Sequence, residues 1–280
     1  MKLHFKTISA VILSPRTQKA LYKGVDFKED EEDVKIEELD NINIVYPFYS
    51  YENRELLSEQ DFSYAKEYYI PASSLKGALL GQKKGEEENI LRSKILFQDI
   101  RISKSYIRLR NLYKFQYLYQ ETQEDNANKG NEKKKPKFTP FFPNIAIEMI
   151  EDGKEFESEV LLKMPDLSEE FFRNKLNESF EITKKKLENY MKETEKRIGA
   201  INSWEVEKKG CLGELEKVKE AIQTQLNNKD KKLIFLGGYK GLLGSLSHLK
   251  IKDENHKIQN GFYIDENTLL PYGLVAVEIS

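Results

Sequence analysis

The chain has 280 residues, of which 33% are charged and 39% are hydrophobic, and its formal net charge is −2. This is enough apolar material for a folded core, and the fifteen tyrosines and fifteen phenylalanines argue against a disordered chain. A free-standing nucleic-acid binder is usually basic, so any contact of this chain with nucleic acid is expected to be local and shared with neighbouring proteins.

The single cysteine, Cys211, excludes an internal disulfide and a paired-cysteine metal site, and it suits a reducing cytosol. The three histidines do not have the spacing of zinc ligands. The apolar run at residues 8–13 is too short for a signal peptide, and no stretch approaches the length of a membrane span. We therefore expect a soluble, cytoplasmic protein that takes no cofactor, metal or small-molecule substrate.

The first fifty residues contain two predicted strands. Residues 2–13 alternate in polarity and then become continuously apolar, which predicts a strand that is buried at its end. Residues 42–49 predict a second strand, which Pro47 confines to a sheet edge or a strand end. Residues 16–24 predict a basic loop, whose cations either follow an RNA backbone or face water: Arg16, Lys19 and Lys23.

A strand or loop that leads into the start of a helix is predicted next, around residues 68–80. Pro71 disfavours helix in the residue before it, and Ser73 or Ser74 is a good N-cap for the residues that follow. Residues 94–102 and 105–119 are rich in branched and aromatic side chains, and they predict further strands.

Two arginines and a lysine-rich loop mark the middle of the chain. Arg108 and Arg110 alternate with apolar neighbours, so both lie on one strand face, where we expect them to face water rather than RNA. Residues 122–137 cannot build a core and predict a mobile loop. Strands resume at residues 145–150 and 155–163.

The last third begins with helices. Residues 168–201 predict one long amphipathic helix, because apolar side chains recur at three- and four-residue spacing. Asn202, with Glu205 three residues later, resembles a capping box, which predicts a second helix and therefore a helical hairpin. A glycine-rich segment at residues 233–249 follows, and residues 270–279 predict a final strand.

The start of the first helix has the chemistry of a phosphate site. A helix N-terminus presents unpaired backbone N–H groups and a partial positive charge. Ser73 and Ser74 add hydroxyl donors, and Lys76 adds a full charge. Gly77 lets another backbone approach closely. The alternative is an ordinary capped helix with a solvated lysine.

The glycine-rich segment also has two interpretations. Its glycines either free the backbone to approach a ligand, with a lysine to contact phosphate, or form a tight turn between a strand and a helix. No Gly-Lys-Ser/Thr string occurs, so the segment is not an ATP-binding Walker loop. The RNA-binding candidates in it are Gly237, Gly238, Lys240 and Gly241.

Residues 70–79 read Ile-Pro-Ala-Ser-Ser-Leu-Lys-Gly-Ala-Leu. This string closely resembles the Ile-Pro-Gly-Ser-Ser-Leu-Lys-Gly signature of the RAMP subunits of type III CRISPR effector complexes, with Ala72 in place of a glycine. Those subunits also carry a glycine-rich loop near the C-terminus, which residues 237–244 resemble. The Csm-type subunit that caps the 3′ end of the guide RNA typically finishes with a Pro-x-Gly segment and a hydrophobic strand, and residues 271–275 are similar.

The resemblance implies a fold and a division of the chain. The fold would be α+β, with a ferredoxin-like, RRM-type antiparallel sheet and helices on one face. Residues 1–166 would form its core, with the mobile loop near 122–137, and residues 230–280 would complete that core. Residues 167–229 would form a helical hairpin insertion.

The resemblance also implies a function in antiviral defence. Such a subunit is not catalytic; it binds the guide RNA (crRNA) through shape and phosphate contacts rather than through its bases, and it ends a stack of repeating subunits. The implied partners are crRNA, target RNA and other RAMP subunits of the complex, with no membrane.

Three alternatives remain open at this point. The repeating backbone subunits of such complexes cut target RNA with an aspartate upstream of the serine–lysine signature, and Asp61 lies in that region. A guide-processing ribonuclease would use a histidine as general base, for which His4 and His248 are the candidates. A protein–protein adaptor would use the helical hairpin and touch little RNA.

Overall fold

The computed structural model describes residues 1–14, 19–27, 42–52, 64–81, 85–118, 135–163, 169–204, 209–228, 230–245 and 262–280. Some of the sequence-based expectations lie outside these ranges: those for Arg16, Asp61 and His248, and most of the loop near 122–137.

The strands and helices of the described residues are as follows. The strands are β1 (Lys2–Thr7), β2 (Leu21–Tyr22), β3 (Ile44–Tyr46), β4 (Tyr68–Ile70), β5 (Ile95–Phe97), β6 (Ile100–Ile102), β7 (Ile107–Arg110), β8 (Tyr113–Gln116), β9 (Lys137–Pro140), β10 (Ile145–Ile150), β11 (Glu155–Leu162), β12 (Leu233–Phe235) and β13 (Leu274–Ile279). The helices are α1 (Ala72–Leu79), α2 (Glu86–Ser93), α3 (Glu169–Asn202), α4 (Leu212–Asn227) and α5 (Gly241–Ser245).

The largest sheet is antiparallel throughout and has the strand order β12–β13–β1–β11–β5. Along β1, Leu3 and Phe5 are buried, whereas His4 between them is partly exposed, because successive side chains of a strand point to opposite faces. The buried face packs against α1 and the start of α3 through Leu75, Leu79, Phe172 and Leu176.

A second sheet has the order β2–β3–β10–β7, in which only β3 and β10 run parallel. Its strand β10 is buried at almost every residue, as expected for a strand that is covered on both faces. Two further antiparallel pairs, β4 with β6 and β8 with β9, complete the strands. Mostly antiparallel sheets with the long helices grouped at residues 169–227 make an α+β fold, as predicted.

The first strand is shorter than the predicted range 2–13. After Thr7 the chain leaves the large sheet: the N–H groups of Ile8 and Ser9 both donate to the carbonyl of Leu274, at 2.8 and 3.1 Å. Val11 then exchanges backbone hydrogen bonds of 2.9 Å with Ile150 of the second sheet. The continuous apolar run at residues 8–13 is therefore a buried segment that passes from one sheet to the other, and we call it the crossing segment. Its sequence pattern is the same as that of the buried end of a strand.

The long helix is confirmed, because α3 spans 34 residues and its apolar spacing continues to the buried Ile201. The predicted capping box is wrong, since Asn202 is the last residue of α3 and the second helix begins only at Leu212. Between them the chain turns at Gly210, where a Cβ atom would lie 2.1 Å from the carbonyl oxygen of Pro136. Helices α3 and α4 pack together around Leu187, Met191, Leu215, Val218 and Ile222.

Candidate functional site

One cavity of about 310 Å³ brings together the two segments that the sequence singled out. It lies between the first turns of α1, the middle of α3 and the loop that follows β12. Within the described residues, its lining has five hydroxyl side chains, two lysines and no carboxylate. These lining residues are Leu13, Ser73, Ser74, Gly77, Ala78, Gly81, Ser179, Ile182, Thr183, Lys186, Phe235, Gly237, Lys240 and Ser245.

The first wall is the start of α1. Pro71, not Ser73 or Ser74, is the N-cap residue, and it makes no side-chain cap hydrogen bond. The backbone N–H of Ala72 donates instead to Oδ1 of Asp99 at 2.7 Å, so a carboxylate from the turn between β5 and β6 caps the helix. The predicted serine cap is therefore wrong, and the two serines lie two and three residues after the N-cap, where they line the cavity.

Lys76 lies on a different side of α1. Its ammonium group donates to the carbonyl oxygen of Ile95 at 3.1 Å, and the residue is not part of the cavity lining. The adjacent Gly77 is exposed and does line the cavity, and a Cβ atom built on it would meet nothing within 4 Å. Of the serine–lysine segment, the serines and the glycine thus reach the site, and the lysine anchors α1 to β5.

The second wall is one face of α3. Ser179, Ile182, Thr183 and Lys186 follow the spacing i, i+3, i+4, i+7, which places them on the same side of the helix. The hydroxyl of Ser179 donates to the carbonyl of Leu79 at 2.8 Å and fixes α3 against α1. Partial burial lowers the pKa of Lys186. The sequence interpretation missed Lys186, although this spacing of hydroxyl side chains on an otherwise apolar helix face is a signal for it.

The third wall is the glycine-rich loop. Gly237 has a φ of +90°, and a Cβ atom on it would lie 2.3 Å from the carbonyl oxygen of Ile12. The N–H of Gly238 donates to that same oxygen at 2.8 Å. The absence of a side chain at Gly237 therefore allows a close approach to the protein's own backbone. Gly241, with a φ of +63°, begins α5.

The backbone of Lys240 in this loop is fixed by a hydrogen bond to its carbonyl oxygen. The hydroxyl of the buried Tyr190 donates to the Lys240 carbonyl. Burial, and to a smaller extent the nearby charge of Lys186, lower the pKa of the Lys240 ammonium to about 8. Neither lysine forms an ion pair with a residue that the structure describes. The Lys240 ammonium donates a long hydrogen bond of 3.5 Å to the carbonyl oxygen of Phe235. As far as the described residues show, the cavity therefore holds two poorly solvated positive charges without a carboxylate, an arrangement that favours an anion.

The other predicted cations that the structure describes do not line the cavity. Lys19 and Lys23 are exposed next to β2, on the second sheet. Arg108 is half exposed and lies 3.5 Å from a carboxylate oxygen of Glu151. The expectation that Arg110 faces water is wrong, because its side chain is only 13% exposed and its Nη2 atom lies 2.8 Å from Asp265 and 2.7 Å from Glu266.

Of the residues named for the catalytic alternatives, His4 lies in the described ranges, and Asp61 and His248 lie outside them. His4 lies on the partly exposed face of the large sheet, where Nδ1 is 3.5 Å from a carboxylate oxygen of Glu157. Over the described ranges, no cluster of three or more His, Cys, Asp or Glu residues has the geometry to hold a metal ion. The helices in those ranges are also too polar or too short to cross a membrane.

No family model matches the chain, and no curated protein sequence matches it. Among solved structures, it is similar to the crystal structure of T. onnurineus Csm5, with 12% sequence identity, coverage of 98% of this chain and 99% of that chain, and a TM-score of 0.45. It is also similar to a chain in the cryo-EM structure of a Csm-crRNA-target RNA ternary complex of the type III-A CRISPR-Cas system, with 12% identity, coverage of 99% and 100%, and a TM-score of 0.49.

Proposed function

We propose that this chain is a RAMP-superfamily subunit of a type III CRISPR effector complex, and that it binds the sugar-phosphate backbone of the guide RNA without cutting RNA. The observation that carries the proposal is the cavity, where the serine–lysine segment and the glycine-rich loop meet beside Lys186 and Lys240. In this proposal, residues 1–166 and 230–280 form a ferredoxin-like core, and residues 167–229 form a helical insertion.

The charge of the cavity supports a phosphate ligand. Two ammonium groups in partly buried surroundings are destabilised by lost hydration and by each other, and a phosphate relieves both effects. Hydrogen bonds between ammonium groups and phosphate oxygens are charge-assisted and stronger than neutral ones. The hydroxyls of Ser73 and Ser74 are placed to add donors from the facing helix.

The chemistry of the lining also supports binding that does not depend on base sequence. Ammonium and hydroxyl groups bind phosphate and ribose and can also contact bases. The more selective base contacts come from the planar side chains of arginine, asparagine, glutamine and the carboxylates, which can pair with a base edge through two fixed atoms. None of those four types lies among the described lining residues. Guide RNAs carry variable spacer sequences, so a subunit that binds them needs contacts that do not depend on the base sequence.

The position within the complex rests on the sequence motifs. The string at residues 70–79, the glycine-rich loop and the Pro-x-Gly segment at 271–275 resemble the Csm-type subunit that ends the stack of backbone subunits at the guide 3′ end. We therefore propose crRNA and neighbouring RAMP subunits as its partners, with target RNA paired to the guide as a further one.

Binding of single-stranded RNA by the full chain tests the proposal. We expect Lys186→Gln and Lys240→Gln each to weaken binding about tenfold or more, because a hydrogen bond to a charged group contributes about 1.5–3 kcal/mol. Each change should also reduce the slope of log affinity against log salt by about 0.7, the value for one phosphate contact on a single strand. Fluorescence anisotropy at several salt concentrations measures both quantities.

Lys185→Gln is the matched control, since it removes the same charge from the neighbouring, exposed position of α3. We expect it to change affinity and salt slope much less than Lys186→Gln. Equal effects of the two changes would show that only the overall charge of α3 matters, and the cavity would then not be the RNA site.

A further inference from the structure

Three tyrosines and an arginine form a row beside the start of α1. The rings of Tyr51 and Tyr69 are stacked, with centroids 4.3 Å apart and planes inclined by 21°. The ring of Tyr49 lies 5.8 Å from that of Tyr69. The guanidinium carbon of Arg101 lies 5.9 Å from the centroid of Tyr51.

Strand pairing explains why these side chains line up. Tyr69 of β4 is directly opposite Arg101 of β6, so their side chains leave the same face. On the other side of β4, the N–H of Tyr69 donates to the carbonyl of Tyr49 at 3.0 Å. Tyr49 and Tyr51 are two residues apart in extended chain and share a face.

Tyr49 packs against the core, whereas the other end of the row, at Tyr51 and Arg101, lies outside it. Tyr51 is 49% exposed, and the side chain of Arg101 is 78% exposed. Ordinary core tyrosines of this chain, such as Tyr68 and Tyr272, are completely buried. A stacked ring that leaves about half its surface in water is available to a further planar group.

We propose that Tyr51 is a stacking platform for a nucleobase of single-stranded RNA, with the guanidinium of Arg101 as a second planar contact. Successive bases of a single strand stack on aromatic side chains and on arginine planes, and such stacking tolerates every base. This inference rests on the proposed function and extends it from the phosphates to the bases.

The position of the row connects it to the cavity. Tyr69 is four residues before Ser73, whose side chain lines the cavity, so their Cα atoms are at most about 14 Å apart. One RNA strand can therefore place a phosphate in the cavity while a base of the same stretch lies on Tyr51.

The local charge favours a base rather than a phosphate at this platform. A carboxylate oxygen of Glu67 lies 3.8 Å from Arg101, and Asp99 caps α1 close by. These two carboxylates oppose a phosphate on the ring but leave a neutral base unaffected. The phosphate contacts thus belong to the cavity and the stacking contact belongs to Tyr51.

Two oligonucleotides with the same number of phosphates separate these contacts: an adenosine strand, and an abasic strand of ribose phosphate. We expect the unaltered full chain to bind the adenosine strand about tenfold more tightly, since stacking contributes about 1–3 kcal/mol per base. Tyr51→Leu should remove this preference, whereas Tyr51→Phe, which keeps the ring, should retain it. Tyr22→Leu, at a tyrosine of similar exposure on β2, should leave it unchanged.

The possible outcomes distinguish the two proposals. If the unaltered chain binds both strands equally, or if Tyr51→Leu keeps the preference, the stacking platform is wrong and phosphate binding in the cavity still stands. If the chain binds neither strand, the proposed function fails and the platform fails with it. Loss of the preference in Tyr51→Leu alone supports both.

Discussion

Lys186 and Lys240 share one cavity, and the charge of Lys186 contributes to a pKa of about 8 for Lys240, although burial is the larger cause. This pKa lies below the ordinary lysine value of 10.5, so the protonated Lys240 destabilises the folded, ligand-free chain at neutral pH. This loss of folding stability disappears as the pH rises from about 8 to 10.5, because in that range the folded chain binds fewer protons than the unfolded chain.

The same shift predicts a pH dependence for RNA binding. A phosphate beside Lys240 raises the lysine pKa again, so binding above pH 8 takes up a proton. We expect affinity to change little between pH 6 and 7.5 and then to fall with rising pH, at most about tenfold per pH unit. Titrations at constant ionic strength between about pH 6 and pH 10 measure this.

Lys240→Arg is the control for this titration, because an arginine keeps its charge over the whole range. Its affinity should depend less on pH than that of the unaltered chain. An equally steep fall in both proteins would mean that another group titrates, and that Lys240 does not contact the phosphate.

A second prediction concerns Gly237, which lets the glycine-rich loop pack against the backbone of Ile12. Gly237→Ala puts a methyl group 2.3 Å from the Ile12 carbonyl oxygen at a φ of +90°, so the loop must move. We expect the free energy of unfolding to fall by about 1–3 kcal/mol, and RNA affinity to fall because Lys240 shifts. Urea denaturation and anisotropy measure the two effects.

Gly77→Ala provides the comparison within α1. Its new methyl group meets nothing within 4 Å, and alanine is the better helix former, so we expect stability to rise by about 0.5–1 kcal/mol. A loss of stability in Gly77→Ala similar to that in Gly237→Ala would contradict the assignment of a special backbone role to Gly237.

A third prediction concerns the fully buried Asp265. Its carboxylate accepts hydrogen bonds from the N–H of Ala10 at 3.0 Å and from Arg110 at 2.8 Å, and so joins the crossing segment to β7. Asp265→Ala leaves a buried arginine and a buried N–H without this partner, and we expect unfolding free energy to fall by about 3–5 kcal/mol.

The exposed pair of Lys6 and Glu155 is the matched control for Asp265. Their charged atoms are 2.7 Å apart on the open face of the large sheet. We expect Glu155→Gln to leave the midpoint of urea denaturation nearly unchanged, since exposed ion pairs contribute little. If Asp265→Ala were as mild, the buried contacts would not hold the crossing segment in place.

Local patterns were sufficient for several elements of this fold. The three- and four-residue spacing predicted α3 almost to its ends, and the turn glycine between β10 and β11 lies where the two strand patterns separate. The contacts that the sequence could not reveal all join distant residues. Asp99 takes over the cap of α1 from 27 residues away, and Arg110 meets Asp265 from 155 residues away.

For the candidate site too, the sequence indicated the local segments but not the contacts between them. The residues 73–77 and 237–241 were found because each segment has unusual local chemistry, and the structure brings both to one cavity. Lys186 was missed because it lies in an ordinary lysine-rich stretch of a long helix, where its spacing from Ser179 and Thr183 is the local signal that distinguishes it from Lys184 and Lys185. Lys76 does not line the cavity, because its ammonium group donates to the carbonyl of Ile95 in β5, a contact that the local sequence does not reveal.

Strand β1 lies in the middle of the large sheet, between β13 and β11, and this position affects folding during synthesis. Its two partners, β11 and β13, begin 153 and 272 residues after Lys2, so β1 is synthesised long before either partner strand. Before both partner strands are available, β1 has at least one unpaired edge, which can pair with other chains. The segment around Ile12 is then also not fixed, so its carbonyl oxygen cannot yet accept the hydrogen bond of the loop that carries Lys240. We therefore expect slow acquisition of the native state and a need for chaperone cover during synthesis.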